Sequence, residues 1–223
     1  MKNIYGSIRN YLIKHSRNRY EKKENYITPH GLDWWEGHIN NKVLRDYAHL
    51  LTGRVADLGC NHGACTILAA RNPDIISVVG IDINDIALDQ AARNLSNSGE
   101  PENVKFKVSF LKSNLTNIQA PDDSFNSVFT FHTLEHIYPD DIRKVLSEIR
   151  RILKPDAYLV ATTPYEHAYD DDGIQHLLFF NLDSLPAYFT EAGFKVLECY
   201  RDQRGDAHIA QHDCLNIICK NIK

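Results

Sequence analysis

Short apolar runs alternate with amphipathic stretches over most of the chain. Residues 54–58, 77–83, 104–110, 125–131 and 157–162 are brief, nearly continuous apolar segments bounded by turn residues, the pattern of strands buried on both faces. Between them, 66–71, 85–96, 140–153 and 182–192 read as helices. The clearest is 140–153, where Ile142, Val145, Leu146, Ile149 and Ile152 recur on one face before Pro155 stops the run. Gly193 closes the segment 182–192. A further helix is expected over 33–51, with Asp33 as N-cap, Glu36 three residues on and Gly53 ending the run.

Strands alternating with helices predict a parallel sheet covered on both faces. The tail departs from this rhythm. Segments 194–201 and 214–220 look like strands with no room for a crossover helix between them, so an antiparallel hairpin is expected, its loop around Gly205. The expected architecture is α/β, a doubly wound sheet of seven strands ending in that hairpin. Residues 1–50 are read as a helical extension or lid, and 51–223 as a single domain.

Composition adds limits. The 223 residues are 43% hydrophobic and 24% charged, ordinary for a globular domain that needs no disulfide or metal to fold. Five cysteines, an odd number without a CxxC pair, fit reduced thiols and a cytoplasmic location. No apolar run is long enough to span a bilayer, and the first residues lack the apolar core of a secretory signal. The net charge of −4 argues against a polyanion-binding chain. Residues 2–23, however, carry seven Lys or Arg against one acid, with Ile4, Tyr5, Ile8, Tyr11 and Leu12 at helical spacing. That stretch is read as a solvated helix covering the domain, with a weak surface contact or an anionic ligand as the alternative.

The strongest chemical signal is VADLGCNHGACT, residues 55–66, between a predicted strand and helix. Gly59 and Gly63 there allow a turn whose backbone approaches a cofactor closely. Asp82 follows 23 residues after Gly59, at the end of the second strand, where a carboxylate can accept hydrogen bonds from ribose hydroxyls.

With these motifs the chain resembles the class I S-adenosylmethionine-dependent methyltransferases, especially the small-molecule group that includes ubiquinone and sugar methyltransferases. The ordered matches are DLGCNHG, GIDIND, SNLTNIQAPDDSFNSVFTFHTLEHI, EIRRILKPDAYLVATTP and HLLFFNLDSLPAYFTEAGFKV. The resemblance implies a Rossmann-like fold and S-adenosyl-L-methionine as cofactor. It assigns Asp57, Gly59, Cys60, Asn61 and Gly63 to the cofactor turn. Asp82 and Ile83 fall on the ribose-binding segment, and Asn114, Leu115 and Phe131 complete the cofactor side. Three positions depart from the family: Asn61 replaces a second glycine, Asn114 an aspartate that reads the adenine amine, and Asn126 the aspartate of a Phe-Asp pair. Asn tolerates left-handed backbone, and its carbonyl can still accept a hydrogen bond.

Methyl transfer from a sulfonium asks the protein to position an acceptor and remove its proton. His132, Glu135 and His136 follow the fourth strand, where open α/β sheets form their crevice. His136 is the expected base and His132 the second choice. Tyr165, His167 and His176 follow the fifth strand as acceptor-binding candidates, and Trp34 is a candidate lid residue. The segment's acids and histidines match no closed metal motif, so no metal is expected. The expected reaction is methyl transfer to an O or N atom of a small polar, sugar-like or hydroxylated acceptor. An RNA methyltransferase and a non-catalytic accessory subunit are the alternatives.

Overall fold

Gly53 opens the first strand with a left-handed φ of 66°, and a Cβ there would meet the Asn126 side chain at 2.7 Å. The computed structural model describes residues 39–166, 176–202 and 213–223, with side chains from Lys42 onward; the basic segment, Trp34 and His167 lie outside them. The strands are β1 (Gly53–Leu58), β2 (Ile75–Asp82), β3 (Val108–Lys112), β4 (Phe125–Phe131), β5 (Leu153–Pro164), β6 (Phe194–Asp202) and β7 (Cys214–Asn221). They form one sheet in the order β3-β2-β1-β4-β5-β7-β6. The first five run parallel, while β7 lies antiparallel to both β5 and β6. The C-terminal hairpin therefore places its second strand inside the sheet. Strand order reverses between β1 and β4, which opens the crevice at their carboxyl ends.

The helices are α1 (Ile39–Asp46), α2 (Ala64–Ala69), α3 (Asp85–Asn97), α4 (Glu102–Lys105), α5 (Ile142–Ile152) and α6 (Ser184–Glu191). Alternation along the strands feeds two apolar layers. Ala56 and Leu58 face α5 and α6, whereas Val55 packs with Val43, Leu44 and Leu68 of α1 and α2. Helix α5 buries Ile142, Val145, Leu146, Ile149 and Ile152, each contributing about 1.5–3 kcal/mol of apolar burial. Asn84 caps α3 by accepting from the Ile86 and Ala87 amides, securing the turn that follows β2.

Two expectations need correction. The third strand is Val108–Lys112, not 104–110, because Pro101 starts a helical turn with Glu102 in its first turn and Lys105 in its last. Val104 and Phe106 alternate as strand residues would, yet Val104 is buried from a helix and Phe106 is exposed. The expected helix over 33–51 ends at Asp46, and a separate 3₁₀ turn, Ala48–Leu50, precedes β1. Of the three departures, Asn126 lies at the amino end of the sheet. Its carbonyl accepts the Arg54 amide at 3.1 Å and the Lys154 ammonium at 3.2 Å, tying the starts of β1, β4 and β5 together.

Candidate active site

The turn after β1 is shaped by what lies against it. Gly59 has φ 73°, and a Cβ there would drive into the Thr133 side chain. Gly63 has φ 80°, with Ala91 and Phe110 filling the space a side chain would need. Asn61 takes a left-handed φ of 48°, which Asn adopts more readily than most residues. Its amide donates to Asp82 Oδ2 at 2.8 Å, and the Asn84 amide donates to Asp82 Oδ1 at 2.9 Å. Asp82 thus joins the β1 turn to the β2 turn. Burial raises its carboxyl against the opposing pull of the Asn84, Asn61 and Ile83 amides, and a carboxylate has roughly four acceptor sites, so acceptor capacity remains for a ligand's hydroxyl.

Asp57 lies beneath this turn, not along it. It is buried and accepts the Thr66 hydroxyl at 2.6 Å. Burial pushes its pKa up to about 7, with Asp82 adding to the rise and the Thr66 bond opposing it. Cys60 is also buried, its thiol held above the ordinary range by desolvation and then by Asp57 and Asp82. Ile83 stays exposed beside Asp82, an apolar surface next to that carboxylate. Leu115 belongs to the core under α5, and Phe131 packs on Phe129 with ring centroids 5.0 Å apart. Asn114 forms its own turn: its carbonyl accepts both the amide and the hydroxyl of Thr116 at 2.9 Å. That carbonyl is filled, so any contact with an adenine amine requires the side chain to leave Thr116.

The segment after β4 brings the predicted histidines and carboxylate together. Thr133 Oγ1 donates to Leu58 O at 3.1 Å, and His132 donates its amide to Thr162 O at 3.0 Å while its φ is 51°. Glu135 is 1% exposed. Its Oε2 accepts from Thr163 Oγ1 at 3.3 Å, and its Oε1 lies 3.5 Å from His132 Nδ1 and 3.9 Å from His136 Nε2 without a hydrogen-bond partner. Burial alone would raise the Glu135 carboxyl, but the two imidazoles hold it below the usual carboxylate value. Burial likewise pushes the His132 ring down, yet the Cys214 sulfur, 3.7 Å from Nε2, and Glu135 carry it up to about 10.

His176 stands over His136, with ring centroids 5.2 Å apart. Tyr165 follows β5 with the Arg201 guanidinium 3.8 Å above its ring, and Arg201 is paired with Asp213. Asn61, His132 and Glu166, three of the five non-glycine residues with positive φ among the described residues, sit just beyond β1, β4 and β5. Such backbone concentrates where a scaffold fixes a site. Sequence reasoning missed Thr66, Thr133, Thr163, Cys214 and Arg201. Thr133 stands within the quoted HTLEH stretch, but no local spacing links Cys214 to His132.

Residues 56–161 match the family model for a methyltransferase domain. The sterol 24-C-methyltransferase erg6 of Aspergillus fumigatus is 32% identical over 124 residues, covering 55% of this chain and 31% of that protein. The O-methyltransferase rstn1 of Aspergillus nomiae is 27% identical over 155 residues, covering 65% of each. The chain therefore spans less than two thirds of either relative. A crystal structure of a SAM-dependent methyltransferase from Aquifex aeolicus shares the fold with a TM-score of 0.65 at 20% identity, covering 84% of this chain and 92% of that one. Residues 56–161 thus form a methyltransferase domain, and the sheet order and turn are those of the class I S-adenosylmethionine-dependent methyltransferase fold. Among the described residues no helix is long and apolar enough to cross a membrane.

Proposed function

We propose that the protein transfers a methyl group from S-adenosylmethionine to an oxygen or nitrogen atom of a small, polar, hydroxylated acceptor. The observation that carries this reading is the joining of two features at one sheet edge. Asp82 pins the glycine turn through the Asn61 amide, and a histidine–carboxylate cluster follows β4 on the neighbouring strand end. The residues suit the cofactor: Asp82 keeps acceptor capacity for ribose hydroxyls, and Ile83 offers an exposed apolar contact beside it. When bound, S-adenosylmethionine supplies a methyl group already activated on a sulfonium.

The chain's own residues then orient the acceptor and handle its proton. Glu135, buried between His132 and His136, keeps negative charge beside both rings. His136 is the proposed base, and His132, held by Glu135 and Cys214, steadies the acceptor side. Tyr165, just beyond β5 with Arg201 over its ring, is the proposed acceptor contact on the neighbouring strand end.

The test is transfer of isotopically labelled methyl from S-adenosylmethionine to a panel of phenols, catechols, sugars and amino alcohols. Labelled product from at least one hydroxylated or amino acceptor, lost in Glu135→Gln, is the expected result. Label found only in RNA, or binding of the cofactor without turnover on any acceptor, contradicts the reading.

A further inference from the structure

Glu135 presents a buried oxygen, Oε1, that only the His132 ring approaches, at 3.5 Å and without hydrogen-bond geometry. Its carboxylate is fixed from one side, because Thr163 Oγ1 donates to Oε2 at 3.3 Å. The other oxygen, Oε1, has no hydrogen-bond partner although the residue is 1% exposed. An unmatched carboxylate oxygen in the interior is costly unless a cation or donor satisfies it. Two imidazoles converge on the same place. His136 Nε2 is 3.9 Å from Oε1, and His176 packs over the His136 ring at 5.2 Å between centroids. One donor atom from each of Glu135, His136 and His176 lies within 4.8 Å of the other two.

We propose that Glu135, His136 and His176 bind a divalent first-row transition ion at the carboxyl edge of the sheet. Donor chemistry selects the class: two imidazole nitrogens and one carboxylate favour Zn²⁺, Co²⁺ or Fe²⁺ over the oxygen-seeking Mg²⁺ and Ca²⁺. Three protein ligands leave a coordination position open, as at sites where a ligand or water completes the shell. Donors ~2.1 Å from a tetrahedral ion lie ~3.4 Å apart, so the set closes with small rotations of the two rings, both on partly exposed side chains. His132, 3.5 Å from Oε1, is placed to orient the carboxylate from behind. The spacing conceals the set, because Glu135 and His136 are adjacent whereas His176 arrives from beyond β5, 40 residues after His136.

The inference deepens the methyl-transfer reading and rests on it for its purpose. An ion in this place lowers the pKa of an acceptor hydroxyl that coordinates it. With the site filled the proton leaves to solvent and His136 serves as a ligand; with the site empty His136 takes the proton.

The experiment uses the full chain, stripped with chelator and titrated with Co²⁺ and separately with Mg²⁺, followed by visible absorption and calorimetry. S-adenosylmethionine binding is measured on the same samples. The expected result is one Co²⁺ per chain with ligand-field bands, no comparable Mg²⁺ binding, and affinity for Co²⁺ at least ~10-fold weaker in His176→Ala and in Glu135→Gln. Circular dichroism and retained S-adenosylmethionine binding confirm that each variant folds. Absence of Co²⁺ binding by the unmodified chain, equal binding of Mg²⁺, or unchanged Co²⁺ affinity in folded His176→Ala overturns the metal site. Cofactor binding without Co²⁺ binding leaves the methyl-transfer reading standing alone, and Co²⁺ binding without cofactor binding does the reverse.

Discussion

On the β1–β2 side of the carboxyl edge, polar groups close on one another through short local bonds. Asp82 takes the amides of Asn61 and Asn84, and Asp57 takes the Thr66 hydroxyl. On the β4–β5–β7 side the groups converge from distant parts of the chain and remain incompletely matched: Glu135 Oε1 has no hydrogen-bond partner, and His132 meets a cysteine 82 positions away. The first side is a preformed cradle whose shape depends on backbone. The second is a cluster of side chains whose charges meet one another across three strands. A fold can carry one cofactor on a rigid turn and vary its acceptor through side chains gathered across the switch point.

Breaking the cradle has the largest expected effect. Gly59→Ala forces a side chain onto a left-handed residue and into Thr133, and should destabilise the fold by ~2–4 kcal/mol. Urea denaturation checks this; a loss no greater than that of Gly99→Ala, where φ is also positive but nothing lies within 4 Å, would mean that the Thr133 contact is unimportant.

The pH dependence of Asp57 is a second, smaller handle. Its folded value is about 7 against an ordinary 3.8, so the unfolded chain releases this proton before the folded chain does. Between those two pH values the folded state holds more protons, and this group's contribution to stability falls as pH rises. From pH 5 to 7, unmodified protein should lose on the order of 2 kcal/mol relative to Asp57→Asn. Denaturation curves that stay parallel across that range would place Asp57 outside this account.

The smallest effect is expected at the rim. Arg201→Lys removes a planar cation from the Tyr165 ring and the paired contact with Asp213, with Arg201 exposed and its two partners half-buried. The melting temperature should not change measurably, and the acceptor KM should rise only slightly. A collapse of kcat would assign Arg201 a role in the chemistry that its position beside Tyr165 does not suggest.

The same contrast explains what the sequence reveals. The cradle is legible because its parts are close in the chain: a strand, two glycines, a helix start and an acid at the next strand end. The β4 motif is legible for the same reason, since His132, Glu135 and His136 are nearly contiguous. The partners that define their chemistry are not, because Thr163 and Cys214 arrive through the pairing of β4 with β5 and β5 with β7, and His176 arrives where the Leu177 and Leu178 amides donate to Glu135 O. Asn114 also eluded the local reading, since its carbonyl turned out to serve Thr116. The third strand was misplaced because Val104 and Phe106 carry a strand-like alternation on a helical turn begun at Pro101.

The most direct test of the central claim is calorimetric titration with S-adenosylmethionine, its demethylated product S-adenosylhomocysteine, and NAD, using the unmodified chain and Asp82→Ala. The account predicts binding of both sulfur nucleotides, none of NAD, and a loss of ~10–100-fold in Asp82→Ala, in keeping with charge-assisted hydrogen bonds worth ~1.5–3 kcal/mol. Failure of either sulfur nucleotide to bind, or affinity unchanged by removing the Asp82 carboxylate from a folded protein, would contradict it and favour a chain that keeps this fold as a non-catalytic accessory subunit.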